Sequence, residues 1–255
     1  MNTHKPRKRF GQHFLTDTSV VDRMLRAIAP KPGEHLVEIG PGQRALTEGL
    51  EPRTDQLTLI ELDRDLVLEL QQVYRENEQV RIVSGDALSQ DYGALGGPLR
   101  LVGNLPYNIS TPLLFHLLQH IDVVSDMHFM LQKEVVDRIV ARAGDKAYGR
   151  LSVMLGCAFD AEHLFDVGPE AFDPPPKVRS AIVRLTPLPE SGRLGLDSNF
   201  EPVVKRAFSM RRKTLRNALR DFVDAEQMTN IGIDPGRRPE TLSIAEFDAL
   251  SRLRS

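Results

Sequence analysis

His35-Leu36-Val37-Glu38-Ile39-Gly40-Pro41-Gly42-Gln43-Arg44-Ala45 is an apolar run that ends abruptly in a glycine-rich turn. Residues 35–39 read as a buried strand, Pro30-Lys31-Pro32-Gly33 before them as punctuation, and Leu46–Leu50 beyond them as a helix. A glycine-rich turn between strand and helix lets a ligand approach the backbone and meet the unsatisfied N–H groups of the helix N-terminus. The next run, Leu57-Thr58-Leu59-Ile60, ends at Glu61, with Asp63 shortly after. The spacing from Gly42 to Glu61 suits a β-α-β unit that sets a carboxylate against the hydroxyls of a ribose. It implies an adenosine-containing cofactor, for which NAD and S-adenosylmethionine both qualify.

Working outward, residues 65–74 read as an amphipathic helix and Val80–Val83 as a strand ending in Ser84-Gly85-Asp86-Ala87. Asp86 is a second carboxylate on the same rim, placed to accept from an adenine amino group, although Asp beside Gly also marks an ordinary turn. Leu99–Val102 is a further strand, leading into Gly103-Asn104-Leu105-Pro106-Tyr107. Thr111 and Pro112 read as the N-cap and first position of a helix to Ile121. An amide, a kinked backbone and an aromatic face in succession suit a planar, amine-bearing base: Asn104 accepts from its N–H, Pro106 turns a backbone carbonyl toward the same nitrogen, and Tyr107 stacks on the ring. The competing reading is a turn followed by a core aromatic.

Met127–Leu131 reads as a fifth strand, Lys133–Ala143 and Tyr148–Ala158 as helices, and His163–Val167 and Ser180–Leu185 as the last strands. Between these strands lies the stiff loop Ala171-Phe172-Asp173-Pro174-Pro175-Pro176-Lys177-Val178, whose aromatic is either a core anchor or a second stacking face opposite Tyr107. Pro187–Gly195 is a linker by composition. Beyond it Phe200–Met210, Thr214–Val223 and a Ser243-capped segment to Leu253 read as helices. Lys205, Arg206, Arg211, Arg212, Lys213, Arg216 and Arg220 crowd one stretch against only Glu201 and Asp221, which favours a polyanion-binding face over a solvated one. At the N-terminus Arg7, Lys8 and Arg9 form a basic arm, either lying over nucleic acid or solvated, and Asp17 or Thr18 caps a helix to Ile28.

The 255 residues suffice for one large domain or a large and a small one, and 41% hydrophobic with 27% charged residues excludes wholesale disorder. A net charge of −2 decides nothing about a polyanionic partner, because distribution outweighs the sum. The single cysteine, Cys157, rules out an internal disulfide and a thiolate metal cluster, and the histidines show no ligand spacing, so no metal is expected. No run reads as a signal peptide or membrane span, so a cytoplasmic protein is expected.

Taken together, Arg9-Phe10-Gly11-Gln12-His13-Phe14-Leu15, Val37–Gly42, Glu61-Leu62-Asp63, Gly85-Asp86-Ala87, Gly103–Ser110, Gln132-Lys133-Glu134 and Pro174–Val178 closely resemble the bacterial KsgA/RsmA small-subunit rRNA adenine dimethyltransferases. The resemblance spans essentially the whole chain. It implies an α/β, Rossmann-like S-adenosylmethionine-dependent methyltransferase fold with a seven-stranded sheet, its last strand antiparallel, and a small all-α C-terminal domain. Residues 1–187 would form the catalytic domain and 188–255 the RNA-binding one. The family dimethylates N6 of two adjacent adenosines in the terminal hairpin loop of 16S rRNA within a maturing 30S subunit, and a monomer is expected. Its cofactor positions match His13, Leu15, Gly40, Glu61, Asp86 and Asn104; its target-base positions match Asn104, Leu105, Tyr107 and Phe172. Arg44 stands where the family usually has Gly or Ala, a departure that bears on how the first helix packs, and His13 where some relatives carry Asn.

A 23S rRNA adenine methyltransferase of the antibiotic-resistance type shares the core motifs, but Gln132-Lys133-Glu134 and the basic helical tail are of the small-subunit type. A nicotinamide-dependent oxidoreductase would leave Asn104–Tyr107 without a role. A non-catalytic assembly factor would keep the fold but has no need of so intact a site.

Overall fold

The computed structural model describes residues 13–195 and 197–253. Seven strands form one sheet: β2 (His35–Ile39), β3 (Gln56–Glu61), β4 (Val80–Ser84), β5 (Leu99–Asn104), β6 (Val124–Gln132), β7 (Phe159–Val167) and β9 (Ser180–Pro187). Their spatial order is β4-β3-β2-β5-β6-β9-β7. β2 pairs in parallel with both β3 and β5, and the last strand in the chain, β9, lies antiparallel against β6. Both the seven-stranded sheet and its antiparallel last strand match the expectation. Two short strands, β1 (Phe14–Leu15) and β8 (Phe172–Asp173), form a separate antiparallel pair that no sequence pattern announced.

Every residue of β2 is buried, as befits a central parallel strand covered on both faces. Chain order departs from β2 in both directions, so the β2/β5 boundary is the topological switch point, where open α/β sheets place ligands at the carboxyl ends of the strands. The two strands approach closely there: a Cβ on Gly103 would lie 2.5 Å from the Ile39 carbonyl oxygen. α1 (Thr18–Ile28) is capped by Asp17, whose side chain accepts from Ser19 N and Val20 N, and buries Val20, Met24, Leu25 and Ile28 along one face. α3 (Arg64–Val73) is capped by Asp63.

Several boundaries move. The helix after β5 is α4 (Ser110–Leu118), entered through Ile109 and not Thr111, because Pro106 starts a turn closed by Ile109 N to Pro106 O at 3.1 Å. α5 (Lys133–Val140) stops short of Ala143, where Arg142 N turns to the Asp145 carboxylate at 2.8 Å.

Residues up to Val136 with Glu162–Pro187 form one compact unit, and Asp137–Ala161 with the chain from Leu188 onward form a second. A unit boundary lies at Pro187/Leu188, and residues 137–161 group with the helical unit and not the sheet unit. There α6 (Arg150–Gly156) buries Val153 and Leu155, and the Tyr148 hydroxyl donates to Leu242 O at 2.8 Å. α2 (Thr47–Leu50) belongs to the first unit; α7 (Phe200–Ser209), α8 (Leu215–Ala218), α9 (Ala225–Asn230) and α10 (Ile244–Arg252) belong to the second. The helix expected over 214–223 is only the single turn of α8, because Asp224 restarts the chain: its carboxylate accepts from Gln227 N while Gln227 Oε1 accepts from Asp224 N. α10 carries the expected Ser243/Glu246 capping box.

Two substitutions test the packing around the switch point. Gly103→Ala forces β2 and β5 apart and should cost about 1–3 kcal/mol, the usual range for overpacking, read as a lower melting temperature. Arg44 holds a left-handed φ of 71°, and its half-buried side chain lies 3.5 Å from Glu48 and hydrogen-bonds Tyr74, so the departure from Gly strains the backbone. Arg44→Gly relieves strain of about 1–2 kcal/mol against an entropic cost near 0.5–1 kcal/mol, and thermal melts should show a small net stabilisation.

Candidate active site

A cleft opens at the carboxyl ends of β2, β3, β4 and β5. Its walls include His13, Leu15, Gly40, Glu61, Asp86 and Asn104, the full set expected at the cofactor, together with Leu105 and Tyr107. Gly40 and Gly42 adopt left-handed φ values of 69° and 54°, and a Cβ on Gly42 would stand 3.2 Å from the Phe14 ring. The turn therefore presents bare backbone to the cleft.

Glu61 is the last residue of β3 and is buried. One carboxylate oxygen accepts from Leu62 N and Asp63 N, both at 2.9 Å, and the other from Gly42 N at 3.3 Å. Burial raises its pKa, and these hydrogen bonds pull in the opposite direction. Glu38, inside β2, is a wall residue that the sequence reading passed over as part of an apolar strand. Burial pushes its carboxyl up to about 8, against the hydroxyl of Thr47, which donates to it at 2.7 Å. At neutral pH Glu38 thus holds a proton. The signal in the sequence was a lone carboxylate within His35–Ile39. Asp86 is exposed, and one of its oxygens accepts from Leu88 N at 2.9 Å, so it is both the turn residue and part of the rim.

At the end of β5 the Asn104 amide donates from Nδ2 to the His13 carbonyl at 3.0 Å. With Nδ2 committed, Oδ1 is the atom left to accept from a ligand N–H. Leu105 is anchored by its N–H to Met130 O at 3.2 Å. The Tyr107 ring stacks on His13 with centroids 5.7 Å apart and planes 28° from parallel, and its hydroxyl bonds Ser180 Oγ at 2.7 Å. Burial raises the phenol pKa, so it stays protonated. The His13 ring also meets Pro174 O through Nδ1 at 2.7 Å. Asn104, Leu105 and Tyr107 are brought together as expected.

Phe172 is not. It is 4% exposed, pairs with Leu15 across β1 and β8, and packs in the core among Leu15, Ala171 and Ile182. The stacking role gives way to the anchor role, because the backbone ladder between these strands turns the ring inward.

Of the cations expected to meet RNA, Arg7, Lys8 and Arg9 lie outside the described residues. Arg206 pairs with Asp221 at 3.1 Å and Arg220 with the same carboxylate at 3.5 Å, while Arg211 bonds Lys146 O at 2.8 Å. Lys205, Arg212, Lys213 and Arg216 are exposed and make no ion pair among the described residues. No group of His, Cys, Asp and Glu among the described residues could hold a metal, and no described helix is long and apolar enough to cross a membrane.

The family model for ribosomal RNA adenine dimethylase matches residues 3–253. The chain belongs to that family. A ribosomal RNA small subunit methyltransferase A from Methylococcus capsulatus is 55% identical over 251 residues, covering 98% of this chain and 98% of the relative. Among solved structures, a dimethyladenosine transferase from Plasmodium falciparum superposes with a TM-score of 0.81 at 25% identity, over 93% of this chain and 96% of the other. The 23S rRNA methyltransferase ErmE gives a TM-score of 0.73 at 25% identity, over 94% and 99%. The protein is therefore an rRNA adenine methyltransferase, as its motifs implied.

Glu61→Ala removes the acceptor at the cleft and strands the N–H groups of Gly42, Leu62 and Asp63 together. A charge-assisted contact is worth about 1.5–3 kcal/mol, so calorimetry should show S-adenosylhomocysteine binding weakened by that amount, with a lower melting temperature. Unchanged affinity in the folded variant would remove Glu61 from the site.

Proposed function

We propose that this protein is the 16S rRNA adenine-N6,N6-dimethyltransferase of the small subunit, using S-adenosylmethionine to modify two adjacent adenosines in the 3′-terminal hairpin loop during 30S maturation. The observation that carries the reading is the Asn104–Tyr107 turn, set at the switch point with Asn104 Oδ1 left to accept and the Tyr107 ring held in place. The residues of the cleft fit the cofactor: Gly40 and Gly42 offer bare backbone, Glu61 an acceptor for ribose hydroxyls, Asp86 an acceptor for the adenine amine, and His13, Leu15 and Asn104 the remaining walls. When bound, S-adenosylmethionine supplies an electrophilic methyl group with its own good leaving group.

The chemistry left to the protein is geometric. An adenine amine is a weak nucleophile because its lone pair is delocalised into the ring. Asn104 Oδ1 and the Leu105 carbonyl accept its N–H bonds, which favours a pyramidal nitrogen with its lone pair out of the ring plane. Tyr107 holds the ring by its face. No tuned general base is required, since the methylated cation loses its proton to solvent. The catalytic role belongs to the sheet domain within residues 1–187, and RNA docking to the helical segment 188–255, where Lys205, Arg212, Lys213 and Arg216 offer charge that is unpaired among the described residues. Small-subunit RNA is preferred over 23S RNA as the substrate because the small-subunit relative is 55% identical and ErmE 25%.

Mass spectrometry of RNA from unmethylated 30S particles and from 23S transcripts incubated with labelled cofactor tests the reading, which requires dimethyladenosine in the 16S hairpin alone. Asn104→Ala should lower single-turnover rates on the order of 10²–10³-fold, as for removal of one preorganised polar group. Tyr107→Ala loses stacking worth about 1–3 kcal/mol. Tyr107→Phe keeps the ring face and should be mild, although Ser180 loses its partner. Equal inactivity of the Phe and Ala variants would show that the hydroxyl matters and the ring face does not.

A further inference from the structure

A cation cluster that belongs to neither expected RNA-binding group lies beside the base-holding turn. β6 and β9 pair with Gln132 opposite Ser180, and the bond from Lys133 N to Arg179 O at 2.9 Å continues the contact one residue further. Lys133 and Arg179 are therefore immediate neighbours of Ser180, whose hydroxyl holds Tyr107. Asp166, from β7, faces both: Lys133 Nζ is 3.6 Å and Arg179 Nη2 4.0 Å from its carboxylate, which His163 Nε2 also reaches at 2.8 Å. Both cations thus face the Asp166 carboxylate, and Arg179 is the more exposed of the two. Lys177, Val178 and Arg179 are all exposed, the Arg179 side chain by 60%, and they follow the stiff Pro174-Pro175-Pro176 segment.

We propose that Lys133 and Arg179 form a cradle for the RNA phosphates flanking the target adenosine. The proposal rests on the rRNA reading above. A base turned out of its stack to lie on Tyr107 carries its phosphates on the outer side of the pocket, and cations there set its register without reading sequence. The proline segment lowers the entropy cost of ordering this rim. These are positioning residues; they do not touch the reacting nitrogen. The competing role is a surface ion network that serves only the β6/β9 end.

The test uses the full chain, Arg179→Gln, Lys133→Gln and the double variant, with a hairpin RNA of the small-subunit 3′ end. A second RNA carries uncharged methylphosphonates on either side of the target adenosine. Arg179→Gln changes an exposed side chain, so it keeps the test valid if Lys133→Gln lowers the melting temperature. The expected result is a log–log salt slope of binding shallower by about 0.7 for each lost single-strand contact, with RNA KM raised on the order of tenfold at physiological salt. Single-turnover rate at saturating RNA and S-adenosylhomocysteine affinity should hold. The methylphosphonate RNA should bind wild type more weakly and the double variant no more weakly than the unmodified RNA does. An unchanged slope, or a methylphosphonate penalty equal in wild type and double variant, overturns the cradle while leaving the rRNA reading intact. A wild-type protein that leaves this hairpin unmethylated both as free RNA and within an unmethylated 30S particle overturns both.

Discussion

The close parallel approach of β2 and β5 governs this molecule. It is possible because Gly103 has no side chain to meet the Ile39 carbonyl, and it brings the Gly40–Gly42 turn and the Asn104–Tyr107 turn to one edge of the sheet. Any side chain at 103 would separate the half of the cleft that suits a nucleoside cofactor from the half that suits a base. The remaining walls follow from parallel pairing, since β3 and β4 end level with β2 and deliver Glu61 and the Gly85-Asp86 turn to the same rim.

Within that rim two buried carboxyl groups solve the problem of charge differently. Glu61 accepts three backbone N–H groups, which pull its carboxyl down against the larger upward push of burial. Glu38 accepts from the Thr47 hydroxyl, and burial, with the Glu61 carboxyl nearby, pushes its own carboxyl up to about 8. Arg44, left-handed at φ 71°, is the strained member of the same turn.

The cations divide by what they face. Arg206, Arg211 and Arg220 are tied to partners within the helical unit, whereas Lys205, Arg212, Lys213 and Arg216 are exposed and unpaired among the described residues. Seven basic residues in one stretch of sequence thus amount to a smaller available charge than their count suggests, because surface ion pairs form wherever an acid is in reach. The cluster at Lys133 and Arg179 shows the reverse case, where residues distant in sequence pool their charge at a strand end.

The strands and their carboxyl-end residues were legible in the sequence because hydrophobic periodicity and glycine placement are local signals: His35–Ile39, the Gly42-to-Glu61 spacing and the Ser243/Glu246 box all appear where the pattern put them. The α9 helix was legible too, in the capping box of Asp224-Ala225-Glu226-Gln227, although the expected helix ended at Val223, one residue before its cap. What only the tertiary structure decided are contacts without a local signature. Asn104 bonds the His13 carbonyl across 91 residues of chain, His13 reaches Pro174 across 161, and Leu15 pairs with Phe172 and draws that ring into the core. The Asp137–Ala161 segment joins the helical unit for the same reason. A residue's type and spacing set what it can do, whereas the direction in which a side chain points is set by packing and ladder partners elsewhere in the chain.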